Sequence, residues 1–175
     1  MTVLKQVLKQ FLFACLLSST SLVLHAEVLV GKVVGVSDGD TITVLDTTKT
    51  EHKVRLMGID APEKKQDFGT QSKRALSNLV YQKPVTVEYK KQDRYKRKIG
   101  KVILDNQDIC LQMVQDGWAW HYKDYEKEQS KIDRDLYSQA ELKARDEKRG
   151  LWQAGNAVAP SSFRKKQSNR KNEDD

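Results

Sequence analysis

The chain has 175 residues, enough for one ordinary globular domain with short extensions. With 38% hydrophobic and 31% charged residues it can build one modest core and is too polar for a multi-span membrane protein. Lysine and arginine outnumber the acids 31 to 24, a net charge of +7, and a basic balance favours polyanions such as nucleic acids.

Lys5 and Lys9 precede a stretch without charge from Gln10 to Ala26, in which an apolar run gives way to serine-rich sequence. Its shortness and its serines predict an export signal over 1–26 rather than a transmembrane helix. Cleavage after Ala26 would send the rest of the chain to the periplasm or the exterior. It would also remove Cys15, leaving Cys110 as a lone thiol and the fold without a disulfide framework. A lipoprotein carrying its modification on Cys15 is the alternative, and the apolar sequence beyond that cysteine counts against it.

Beyond this segment, the β-branched run 28–36 predicts a strand, with Gly31 and Gly35 at points of bending or bulging. The turn Asp38-Gly-Asp-Thr41 leads to strands over 42–45 and 53–57, an antiparallel meander that Pro62 ends. A helix is predicted over about 68–80, with Ala75, Leu76, Leu79 and Val80 at helical spacing. Strands follow at 85–89 and 99–104, then a short helix over 108–115 with Gly117 at its C-terminal cap. A last helix over 131–148 would place Ile132, Leu136, Ala140 and Ala144 on its buried stripe, with Leu151 and Trp152 docking behind it. Residues 153–175 are polar and charge-mixed, with almost nothing to bury, and are expected to be disordered. Five short strands with a helix between the third and fourth predict an α+β, mainly β architecture: a five-stranded, oligonucleotide-binding (OB-type) Greek-key barrel with three helices, spanning 27–152.

Charged residues inside this framework carry the chemistry. Arg55 sits in the otherwise apolar stretch 54–59, so its guanidinium is expected to be desolvated and to need a carboxylate or phosphate partner. A structural ion pair satisfies that need, and so does the fork-shaped recognition of phosphate. Asp40 lies in one tight turn, and Asp60 and Glu63 lie in another, Ile59-Asp-Ala-Pro-Glu63. Each motif alone reads as an ordinary turn. Together they close neighbouring strands, and two converging carboxylates are most simply reconciled by a hard divalent cation, Ca2+ or Mg2+. In residues 90–101, seven of twelve side chains are basic and Asp93 is the lone acid, with Tyr95 embedded among them. A solvated hairpin is the ordinary account of such a run, but its density suits a loop that contacts phosphates.

Taken in order, Asp38-Gly-Asp-Thr41, Arg55-Leu-Met-Gly-Ile-Asp-Ala-Pro-Glu63 and Asp93-Arg-Tyr-Lys-Arg97 resemble the motifs of the thermonuclease family, the staphylococcal-nuclease-like enzymes. The resemblance covers about 28–152. It implies Ca2+-dependent, largely sequence-nonspecific hydrolysis of DNA and RNA, leaving 3′-phosphate ends. By the same resemblance, Asp40 and Asp60 would ligate calcium through carboxylates and Ala61 through its carbonyl. Glu63 would orient or deprotonate the attacking water, Arg55 and Arg97 would grip the scissile phosphate, and Arg94 and Tyr95 would lie near a neighbouring phosphate. Lys96 departs from the family's glycine, and a left-handed backbone there would be strained with a lysine. Trp118 and Trp120 are read as core, and His121 as a bystander. The processed protein is expected to be a monomer without stable membrane insertion. A noncatalytic nucleic-acid-binding OB module is the competing reading, against which stand the five filled charged positions.

Overall fold

The computed structural model describes residues 27–174. The export segment expected over 1–26 lies outside the described residues. Five long strands, β1 (Glu27–Asp38), β2 (Thr41–Asp46), β3 (Glu51–Leu56), β5 (Pro84–Gln92) and β6 (Lys98–Leu104), form the barrel. Antiparallel pairing runs β3-β2-β1-β5-β6, and a parallel pairing of β3 with β6, Arg55 opposite Ile99, closes the sheet on itself. Closure removes the exposed edges that an open sheet would leave unpaired. The register of β1 against β2 shifts between Val33 and Gly35 and again between Val36 and Asp38, the bulges that let this long strand bend around the barrel.

The interior follows the strand alternation. Val33, Ile42, Val44, Val54, Leu56, Val85, Val87 and Val102 are all buried within it. The helix α1 (Gly69–Val80) follows the third long strand and seals the barrel with Leu76 and Val80, one turn apart. The helix α2 (Ile109–Gln115) is capped by Asp108, whose side chain accepts from the Leu111 amide at 3.1 Å. Gly117 supplies the left-handed residue just past its end, at φ 73°. Cys110 is buried on this helix, and burial pushes its thiol far above the ordinary range, so it acts as a small apolar side chain.

Two expectations need correction. The helix α3 (Lys131–Asp146) does not bury the stripe of Ile132 and Leu136, which stay exposed. It turns Tyr137, Glu141 and Ala144 inward. Polar anchors on other elements decide the rotation: the Tyr137 hydroxyl donates to Asp108 at 2.8 Å, and buried Glu141 is paired with Lys123 at 2.7 Å, with Arg145 of the same helix completing the pairing at 2.9 Å. An apolar stripe read along the sequence cannot detect such partners. The second correction concerns 153–175, expected to be disordered. Residues Pro160–Asp174 form a fourth helix, α4. Leu151 and Trp152 do dock behind α3, in a small cluster with Trp120, and Ala157 and Ala159 of the connecting segment pack against it. Pro160 is buried, and α4 therefore starts from a fixed point although it has no apolar face of its own. Among the described residues, no helix is long and apolar enough to cross a membrane.

Candidate active site

Two turns at one end of the barrel build the site. The first joins β1 to β2, and its Gly39 is required by space: a Cβ there would stand 1.9 Å from Ser72 Oγ and 2.8 Å from Ala61 Cβ. This close approach draws the turn against α1 and delivers Asp40 into the interior. The second follows β3, where Gly58 takes φ 76° and turns the chain into a two-residue strand, β4 (Ile59–Asp60). That strand pairs with β7 (Trp120–His121), placing Asp60 opposite Trp120. The turns are stitched together by the Leu56 amide donating to the Asp40 carbonyl at 2.8 Å and the Ala61 amide donating to Asp40 Oδ2 at 2.7 Å.

Arg55 bridges the two acids. Its Nη1 lies 2.7 Å from Asp40 Oδ2 and its Nη2 donates to Asp60 Oδ1 at 3.0 Å. The Nη1 contact lacks hydrogen-bond direction and acts through charge alone. All three side chains are buried or nearly so, which makes the pairing strong and its disruption costly. Burial pushes Asp40 up to about 7, against the lowering pull of Arg55. Burial likewise raises Asp60, although Arg164 and Arg55 both oppose it. Glu63 lies at the rim, two-fifths exposed, with its amide donating to Gln66 Oε1 at 3.1 Å.

The basic loop is held together by its own acid. Arg97 Nε donates to Asp93 Oδ2 at 2.7 Å, and the Tyr95 and Arg97 amides also donate to the Asp93 side chain. Those donors and the Arg97 charge hold the Asp93 carboxyl below its usual range, outweighing its partial burial. The structure thus joins Arg55, Asp40, Asp60 and the Ala61 backbone, and it secures Arg97 within its own turn. Lys96 adopts the left-handed backbone, φ 62°, that its lysine makes costly. Arg94 stacks 4.8 Å from the centre of the exposed Tyr95 ring. His121 pairs with Gln129 at 2.9 Å, and Trp120 packs edge-on against Trp152, both consistent with structural rather than chemical roles.

Sequence reasoning missed two residues. Arg164, on α4, donates to both oxygens of Asp60, at 3.1 and 3.0 Å, and to Glu63 Oε1 at 2.7 Å. Tyr122 reaches the same guanidinium, with its hydroxyl 3.4 Å from Nη2. No sequence signal marks Arg164, because the polar segment that carries it has no periodicity. Tyr122 lies beside Trp118, Trp120 and His121, none of which was expected to touch the site.

Among the described residues, no group of three or more His, Cys, Asp or Glu is gathered as a metal cage. The donor chemistry nevertheless fits a hard divalent cation. Two buried carboxylates converge, a third lies three residues along the same turn, and a second arginine holds the outer pair where a cation would be drawn.

Comparison with known proteins bears on this geometry. The family described as staphylococcal nuclease homologue matches residues 53–154. A protein of Haemophilus influenzae described as an uncharacterized endonuclease is 44% identical over 136 residues, covering 78% of this chain and 73% of its own. Another so described, from Escherichia coli O157:H7, is 42% identical over 135 residues, covering 77% and 84%. A micrococcal nuclease of Shigella flexneri is 38% identical over 151 residues, covering 81% and 84%.

Proposed function

The chain belongs to the staphylococcal nuclease family, and from that premise we propose that it is an exported, Ca2+-dependent nuclease that hydrolyses DNA and RNA with little regard to sequence, leaving 3′-phosphate ends. One observation carries the reading: a nearly buried arginine joining two buried carboxylates, with a third acid at the open rim.

A phosphodiester repels nucleophiles with its own charge, and attack concentrates more charge on its equatorial oxygens. Calcium, when bound, would supply a divalent positive charge to that phosphate. Asp40 and Asp60 would hold the ion through carboxylate oxygens, and Ala61 through its carbonyl. Arg55 is fixed by its two carboxylate partners, so it would present its charge to the phosphate without reorganising as the reaction proceeds. Glu63, reachable from solvent, would orient a water or take its proton. Arg97 would add a second guanidinium after leaving Asp93, and Arg94 and Tyr95 would meet a neighbouring phosphate. The charge-free run 10–26 behind Lys5 and Lys9 supports export, to the periplasm or the exterior. The processed protein would act as a monomer.

The purified protein should degrade single-stranded DNA when Ca2+ is added and stop when it is chelated. Glu63→Gln should lower turnover by about 10²–10⁴-fold, the order typical of a lost general base, and leave the circular dichroism spectrum unchanged. Binding without cleavage in saturating Ca2+ would establish the noncatalytic module instead.

A further inference from the structure

The helix α4 lies beyond the residues matched by the family, yet it delivers the most heavily engaged side chain of the site. Arg164 uses both terminal nitrogens on Asp60 and a further contact on Glu63. With Arg55 sharing Oδ1, both Asp60 oxygens already carry donors. A cation bound through Asp60 would therefore sit against a guanidinium whose charge opposes it. Arg55 is poorly placed to yield, since it is enclosed by the barrel and also serves Asp40. Arg164 is 41% exposed and approaches from the solvent side.

The helix that carries it is built to let go. It has no apolar stripe, and the residues from Arg164 to Arg170 are exposed. Its tether is the buried Pro160, half-buried Phe163 and the bond from Gln66 Nε2 to the Val158 carbonyl, 2.6 Å. A polar helix of 15 residues has little stability by itself. Its docked position depends on the same carboxylates that a cation would claim.

We propose that Arg164 is the residue that sets the cation affinity of this site, as a built-in competitor that occupies Asp60 and Glu63 until a divalent cation displaces it and frees α4. The inference rests on the reading of Asp40 and Asp60 as cation ligands. In effect the chain carries its own monovalent counter-ion for the outer acids, and calcium binding is an exchange of one cation for another. The exchange sets a concentration threshold for Ca2+, below which Oε1 of Glu63 stays paired with Arg164.

Calcium titration calorimetry on the full protein and on Arg164→Ala, Arg164→Lys and Arg164→Gln tests this directly. Arg164→Ala should bind Ca2+ at least tenfold more tightly, since loss of even one charge-assisted contact is worth about that factor. Arg164→Lys, a point charge that cannot span both Asp60 oxygens, should fall between the wild type and the alanine variant. In the wild type, Ca2+ should also speed tryptic cleavage after Lys165 and Lys166 by releasing α4, a readout independent of activity. Unchanged or weaker Ca2+ binding by Arg164→Ala would overturn the proposal, as would equal tryptic rates with and without Ca2+. So would a variant that keeps its Ca2+ affinity while losing affinity for oligothymidylate, since Arg164 would then be a phosphate ligand. The two readings fail separately. Cleavage with no change in Ca2+ affinity would remove the competitor and leave the nuclease, whereas tighter Ca2+ binding without cleavage would remove the nuclease and leave the competitor. If neither protein binds Ca2+, the competitor is overturned as well.

Discussion

Replacing Arg55 by methionine tests the central pairing, because it keeps much of the side-chain stem and removes the charge shared by Asp40 and Asp60. Breaking a buried ion pair by removing one partner costs about 3–5 kcal/mol, a large share of a domain's total of about 5–15 kcal/mol. That cost should depend on pH in a direction unusual for acids. In the folded, metal-free chain Asp40 is pushed up to about 7, against an ordinary value of 3.8, so the folded state binds its proton more tightly than the unfolded state. Its contribution to stability is therefore greatest below pH 3.8 and is lost as pH rises toward about 7, a span corresponding to about 4 kcal/mol. Without Arg55 the carboxyl is driven higher still. At pH 5 Asp40 is protonated in both proteins, and the substitution costs only the share owed to Asp60, about half of the full 3–5 kcal/mol. At pH 8 Asp40 is ionised only while Arg55 is present, and the cost of the substitution rises by roughly 1 kcal/mol, the linkage of one pH unit above about 7. Urea denaturation in the presence of a chelator, followed by tryptophan fluorescence at both pH values, measures the difference. Adding Asp40→Asn to Arg55→Met should recover about 1–3 kcal/mol at pH 8. Equal costs at the two pH values, or a loss below about 1 kcal/mol at pH 8, would refute the argument that these charges are buried together.

Gly39→Ala should destabilise the protein by about 1–3 kcal/mol in thermal unfolding through its clash with Ser72, and Ser72→Ala should restore part of that loss. No rescue would mean that Gly39 is needed for another reason. If residues 90–101 contact phosphates, Arg94→Ala should reduce the salt dependence of single-stranded DNA binding by about 0.7 in the slope of log affinity against log salt; an unchanged slope would place the phosphate elsewhere. Tyr137→Phe should cost about 1–2 kcal/mol by leaving Asp108 without its donor from α3, and an effect below about 0.5 kcal/mol would show that the Lys101 contacts to Asp108 and Asp133 suffice.

The barrel and the inner site were legible in the sequence because both depend on local patterns. Alternating β-branched residues marked the strands, and glycines and acids marked the turns at their ends. A lone arginine in an apolar strand announced that it needed buried partners. Those partners proved to be Asp40 and Asp60, and the parallel closure of β3 on β6 is what encloses the strand that carries Arg55. What the sequence could not show was pairing between segments with no shared pattern. The rotation of α3 was decided by Asp108 and Lys123, neither of which lies on that helix. Arg97 was expected at the site, but its first partner is Asp93, four residues away. Arg164 was invisible because a polar segment without periodicity gives no direction to its side chains. Its place beside Asp60, 104 residues earlier, exists only once Pro160 has anchored the helix. Hydrophobic periodicity is written along the chain, whereas charge pairing over long sequence distances is fixed by the folded backbone.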